Sequence, residues 1–172
     1  DEPDVGLDVL LLDETGSKRW IAKDVNTEDK AAKQAFFDWI ENIEPHLKPA
    51  QFKLLKRFAS HPEAANLDPN EFRCYLRSAR NSVEIFREAN VPLETEASKL
   101  VTEYSTLNGA QTVTFDGKER TMQQMAKYIE SPDRSVREQA FRLSAERREK
   151  DFAAMESIFD KLLALREQMA AN

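Results

Sequence analysis

Three side chains stand out for possible metal or nucleophilic chemistry: His46, His61 and Cys74. A zinc-peptidase helix needs two histidines one turn apart, with a glutamate beside the first to act as base. His46 is followed by Leu47 and His61 by Pro62, so neither begins His-Glu-x-x-His. A di-iron bundle would need Glu-x-x-His, but Ile43 and Phe58 occupy the places three before each histidine. Both histidines abut a proline at an expected helix boundary, where capping or surface duty is the usual role. Cys74 has Arg73 and Arg77 nearby, which would favour a thiolate. No histidine lies close in sequence to serve it, and a surface or filler thiol is the simpler reading. There is no Gly-x-Ser-x-Gly elbow. Gly6, Gly16, Gly109 and Gly117 are too scattered to cradle a phosphate. The expectation is therefore no catalytic residue and no metal ligand within these residues.

Two charged groups remain. Arg73, Arg77, Arg80 and Arg87 recur at helical spacing. Such a row could hold peptide carboxylates, although pairing with Glu84, Glu88 and neighbouring helices is the more ordinary outcome. Glu94, Glu96 and Glu103 open a later helix, where negative charge suits the helix dipole.

The elements that must position these residues are mostly helical. Only 4 Gly and 7 Pro punctuate the chain, while 41% of residues are hydrophobic and 33% charged. That balance fits amphipathic helices with wet outer faces. Residues 1–26 lack a sustained period. Val5, Leu7 and Val9 alternate, Asp13 to Ser17 has turn composition, and Trp20-Ile21 stands between charges, so an extended segment is expected.

From residue 27 the pattern predicts about six helices. Ala32, Ala35, Phe36, Trp39, Ile40 and Ile43 share one face until Pro45, and a shorter helix starts near Pro49 with Phe52, Leu55 and Phe58 inward. Asp68, Pro69 and Glu71 open a third, whose stripe is Phe72, Leu76, Ala79, Val83 and Phe86. Asn90-Val91-Pro92 separates it from a fourth, with Gly109 placed for a left-handed cap. Residues 111–120 alternate around Asp116-Gly117 and predict a β-hairpin. An isolated hairpin is marginal in water, so this one must lean on helices or on further protein. Thr121 and Gln124 form a capping box for a short helix. Ser131-Pro132-Asp133 opens a long last helix with no stop signal, and Phe152, Met155, Phe159, Leu162, Leu165 and Met169 are expected inward. The lack of a stop suggests a piece of a larger protein.

Composition also excludes partners. Net charge is −6, and the most basic stretch, Arg134 to Lys150, interleaves arginines with Glu138, Glu146 and Glu149. Glu138–Arg142 and Glu146–Lys150 have helical pairing order, so a salt-bridged surface is expected and no nucleic-acid partner. No apolar run reaches the roughly 20 residues of a membrane span. With a single cysteine, the expected setting is cytoplasmic.

Several stretches add a resemblance. Ile43-Glu44-Pro45-His46-Leu47-Lys48-Pro49, Asn90 to Glu96, Leu107 to Val113 with Asp116-Gly117, and Ser131 to Glu138 are similar to segments of oligoendopeptidase F-like zinc metallopeptidases, relatives of thimet oligopeptidase. Ile158 to Leu162, Leu165-Arg166 and Ala171-Asn172 continue the likeness in the same order. It covers residues 24–172, and residues 1–23 match nothing. The resemblance implies the helical N-terminal region of a larger, mainly helical peptidase. There, zinc would sit in a downstream His-Glu-x-x-His helix, absent here, and polarise the scissile bond of short peptides. This region would form part of the wall of the substrate channel. It would bind no zinc itself and would need its own catalytic domain as partner. The alternative is a freestanding helical interaction module that binds partner peptides in a groove. A helical-repeat scaffold is less apt, because the segments share no period.

Overall fold

The computed structural model describes residues 5–172, with side chains from residue 8 onward. Among these residues are seven α-helices and one two-stranded hairpin: α1 (Val5–Val25), α2 (Lys30–Asn42), α3 (Glu44–Ser60), α4 (Pro69–Ile85), α5 (Val91–Gly109), β1 (Thr112–Phe115), β2 (Lys118–Thr121), α6 (Met122–Ile129) and α7 (Arg134–Ala171). No described helix is long and apolar enough to cross a membrane.

The extended segment expected over residues 1–26 is wrong from Val5 onward, because α1 occupies it. Residues 1–4 of that expectation lie outside the described residues. The reason is chemical. The buried or half-buried positions of α1 are Val9, Gly16, Arg19 and Lys23, a helical seam made largely of small and cationic residues. The Arg19 guanidinium lies 5.4 Å from the Trp39 ring and donates to the Ala35 carbonyl at 3.1 Å. Lys23, only 5% exposed, sits 4.9 Å from the Phe36 ring and donates to Asp24. Cations over aromatic faces do what leucines do in an ordinary stripe. Leu10, Leu11, Trp20 and Ile21 remain exposed instead. Hydrophobic periodicity is blind to such a helix.

Gly16 is not in a turn. A Cβ there would fall 2.6 Å from Nε1 of Trp39, so the missing side chain lets α1 lie against the indole. That contact sits over the first core: Phe36, Trp39, Ile40 and Leu47, flanked by Val9 and Phe37.

Helix α3 starts earlier than expected. Ile43 ends α2 and opens α3, with Pro45 in the first turn, where its missing N–H is no loss, and Pro49 inside the helix. Asp68 caps α4 through Asn70 N–H at 2.8 Å, as its sequence signals. Phe86, just past the end of α4, stacks on Phe52 of α3 with centroids 4.2 Å apart. Gly109 is not left-handed: the only positive-φ glycine among the described residues is Gly117. A Cβ at Gly109 would stand 2.7 Å from Oγ1 of Thr27, so here too glycine permits a close approach.

The hairpin pairs Val113 with Arg120 and Phe115 with Lys118. Asp116 and Gly117 both have positive φ (52° and 68°), the twist that tight hairpins favour. Its support lies within the chain. Val113 and Phe115 join Met125 of α6 and Ala140 of α7 in a second core. The Thr121–Gln124 capping box starts α6.

Helix α7 runs 38 residues. Its inner seam reads Ala140, Ser144, Arg147, Asp151, Met155, Ile158, Leu162, Leu165 and Met169, all buried or half-buried. The polar middle faces Gln111 and Ala110, which it binds. Phe152 and Phe159, expected inward, are 62% and 64% exposed. Glu138 and Arg142 pair at 2.7 Å, but the next pair joins Arg147 to Asp151 and not Glu146 to Lys150.

Candidate functional site

His46 and His61 occupy opposite ends of α3, roughly 22 Å apart along its axis. His61 accepts from the Glu63 N–H at 3.2 Å through Nδ1 and so caps the 3-10 turn Pro62–Asn66. His46 sits in the first turn of α3. The described residues contain no group of three or more histidine, cysteine, aspartate or glutamate side chains with metal-binding geometry. The donor set does not fit zinc. Cys74 is exposed on α4.

The acidic residues of α5 have structural partners. Lys48 of α3 binds Glu94 at 2.6 Å and Glu44 at 3.0 Å. Lys99 binds Glu41 of α2 at 2.7 Å and Glu96 at 2.9 Å. Burial pulls the Lys48 ammonium towards neutrality, but hydrogen bonds to Glu94 and Glu44 outweigh it and hold its pKa above the usual lysine value. Glu41 and Glu96 raise Lys99 likewise. These charges tie α5 to α2 and α3.

The arginine row behaves differently. Arg73, Arg77 and Arg80 line one groove with Asn81, over an apolar floor that includes Ala64, Leu67 and Leu76. The cavity holds about 460 Å³. All three arginines are exposed, and none has an ion pair or hydrogen bond among the described residues. The expected pairing with Glu84 and Glu88 does not form. Arg87 lies past the end of α4 and donates to the Glu84 and Phe86 carbonyls at 2.7 and 3.0 Å.

A second cavity of about 400 Å³ was not foreseen, because it depends on α1. Trp20, Phe36 and Trp39 wall it, with Asp13, Ser17 and Gln51 among its polar groups. The spacing of Gly16 and Trp20, one helical turn apart, was its available signal. A third surface lies on α7. Phe141, Phe152, Phe159 and Leu163 are 63%, 62%, 64% and 48% exposed. At about 100° per residue they share one face, roughly a quarter turn from the inner seam.

Neither a family model nor a curated protein sequence matches the chain. Solved structures do match its fold. One, from Bacillus anthracis str. Ames and provisionally named oligoendopeptidase F, has a TM-score of 0.80 at 20% identity, over 91% of this chain and 28% of that one. Another, also provisionally named oligoendopeptidase F, has a TM-score of 0.79 at 24% identity, over 89% of this chain and 27% of that one. At such identities the likeness is one of fold. The chain spans little more than a quarter of either neighbour's length.

Proposed function

We propose that this chain is a non-catalytic helical segment of a zinc-dependent oligoendopeptidase, where it forms part of the wall of the channel that admits short peptides. The observation that carries the reading is the fold match: about nine-tenths of the chain superposes on a quarter of proteins named as oligoendopeptidases. Two features of the chain support it. Its grooves, on α4 and between α1 and α2, offer binding surfaces of the kind a channel wall would present. Phe141, Phe152, Phe159 and Leu163 leave large apolar side chains exposed along one face of α7, of the kind that further protein covers. Zinc, in this reading, belongs to a catalytic domain outside these residues, where it would polarise the scissile carbonyl and activate water.

The test is to purify the longest protein whose gene encodes this segment, alongside the 172-residue chain, and assay both on quenched-fluorescent short peptides. The expected result is turnover by the longer protein, abolished by a chelator and restored by zinc, and none by the chain alone. Chelator-sensitive turnover by the chain alone would sink the proposal, as would a longer protein that lacks His-Glu-x-x-His. The second reading, a peptide-binding interaction module, is favoured by the open arginine groove and predicts peptide binding with no cleavage in any longer form.

A further inference from the structure

Three like charges along one helix face are a cost unless something uses them. Arg73–Arg77 and Arg77–Arg80 stand at i,i+4 and i,i+3, where cations repel and weaken the helix. The chain as a whole is acidic, and a minority of its cations are partnered. Lys18, Lys48, Lys99, Arg142 and Arg147 each hold a carboxylate within 3.0 Å, while Arg19, Arg87 and Arg137 donate to backbone carbonyls. Arg73, Arg77 and Arg80 do neither. They also differ from a merely solvated row in what lies beside them: Ala64, Leu67, Pro69 and Leu76 make the rest of the groove apolar.

We propose that the groove between α4 and the 3-10 turn Pro62–Asn66 binds the carboxylate of a short peptide, with Arg73, Arg77 and Arg80 as its anion-recognising side and the apolar floor receiving a neighbouring aliphatic side chain. Guanidinium groups match carboxylates because each presents a planar fork of N–H donors to two oxygens. The three span about 10 Å of helix, the reach of a few extended residues. The cavity volume lies in the range of small-ligand sites. An apolar floor disfavours a bare inorganic anion, which would gain nothing from it, and favours a ligand that joins charge to hydrocarbon. The inference does not rest on the peptidase reading, since a groove of this chemistry would serve a channel wall or a binding module equally.

The test uses the 172-residue chain and an N-terminally labelled pentapeptide, Leu-Ala-Leu-Glu-Glu, read by fluorescence anisotropy. Binding is expected, weakening steeply towards 1 M salt, where the screening length falls to about 3 Å. Arg77→Gln should lower affinity about tenfold, while its thermal midpoint stays equal or rises slightly because a repulsion is removed. Arg142→Gln, on α7, should leave affinity unchanged. Two further peptides locate the carboxylate: loss with a C-terminal amide assigns the terminus, loss with Gln-Gln assigns the side chains. The proposal is overturned if no binding occurs at about 1 mM peptide, a concentration that exposes even millimolar affinity. It is equally overturned if Arg77→Gln binds as the parent does, if the doubly neutralised peptide binds as well as the acidic one, or if inorganic phosphate competes as effectively as the peptide.

Discussion

Substituting Gly16 by alanine pits two opposed effects against each other at one atom. In the interior of a helix with free space, Gly→Ala stabilises by about 1 kcal/mol, because alanine loses less backbone entropy on folding. At Gly16 the new methyl would meet Nε1, Cε2 and Cζ2 of Trp39 at 2.6, 2.7 and 2.9 Å. Trp39 is only 5% exposed and is packed into the first core, so moving the indole would disturb its contacts there. Overpacking of this kind costs about 1–3 kcal/mol. The sum is a net loss of about 1 kcal/mol, with strain winning. Urea unfolding followed by circular dichroism would measure it. Trp39→Phe removes the indole atoms that clash, so in that background the same Gly16→Ala change should stabilise by about 0.5–1 kcal/mol. The sign therefore reverses, and the coupling across the double-mutant cycle equals the relieved strain. If Gly16→Ala stabilises equally in both backgrounds, α1 does not pack against α2 as described.

Other tests address the second half of the chain. Gly117→Ala should destabilise by about 1 kcal/mol although open space surrounds it, because a backbone φ of +68° is unfavourable for any residue with a Cβ; thermal unfolding reads this, and an unchanged midpoint would refute the turn geometry. Hydrogen bonds from Gln111 at 3.1 Å and Arg147 at 2.6 Å hold the Asp151 carboxyl below its ordinary value of 3.8. A lowered folded-state value stabilises at pH above 3.8 and loses that contribution as pH falls through the folded-state value. The stability gap between the parent and Asp151→Asn should therefore be constant near neutrality and shrink in acid below 3.8; a gap that stays constant into strong acid would contradict the assignment.

How much of this was legible beforehand depended on which physical signal each element used. The capping box at Thr121, the Asp68 cap and the Asp116-Gly117 turn are local devices, so sequence declared them at the correct residues. Although Ile43 and Phe72, expected inward, are exposed, most of the inward faces of α2 and α4 followed from apolar spacing. Helix α1 did not, since its seam is Val9, Gly16, Arg19 and Lys23, and the energy comes from rings on another helix. Gly16 and Gly109 read as turn and cap because glycine usually signals backbone freedom, whereas here each signals a neighbour's closeness. The arginine row was visible, but its missing partners were not. Glu88 lies beyond the end of α4 at Ile85, whereas Glu84 stands at i,i+4 from Arg80 inside the helix and still makes no ion pair with it. The inner seam of α7 turns polar at Arg147 and Asp151. That is the point where Gln111, 2% exposed, replaces an apolar neighbour by a hydrogen-bonded one.

Helix α7 is held at two distant places. Near its first third, Asp151 accepts from Gln111 at the foot of the hairpin and Arg147 donates to the neighbouring Ala110 carbonyl; near its end, Asn90, at the head of α5, donates to the Met169 carbonyl at 3.1 Å and accepts from Asn172 at 2.7 Å. A rod of about 57 Å clamped at both stations cannot pivot about either one alone. It behaves as a beam: a push delivered anywhere on its phenylalanine face is shared between the hairpin core and the α4–α5 junction. Load on one end is thus felt at the other without any change in the helix itself.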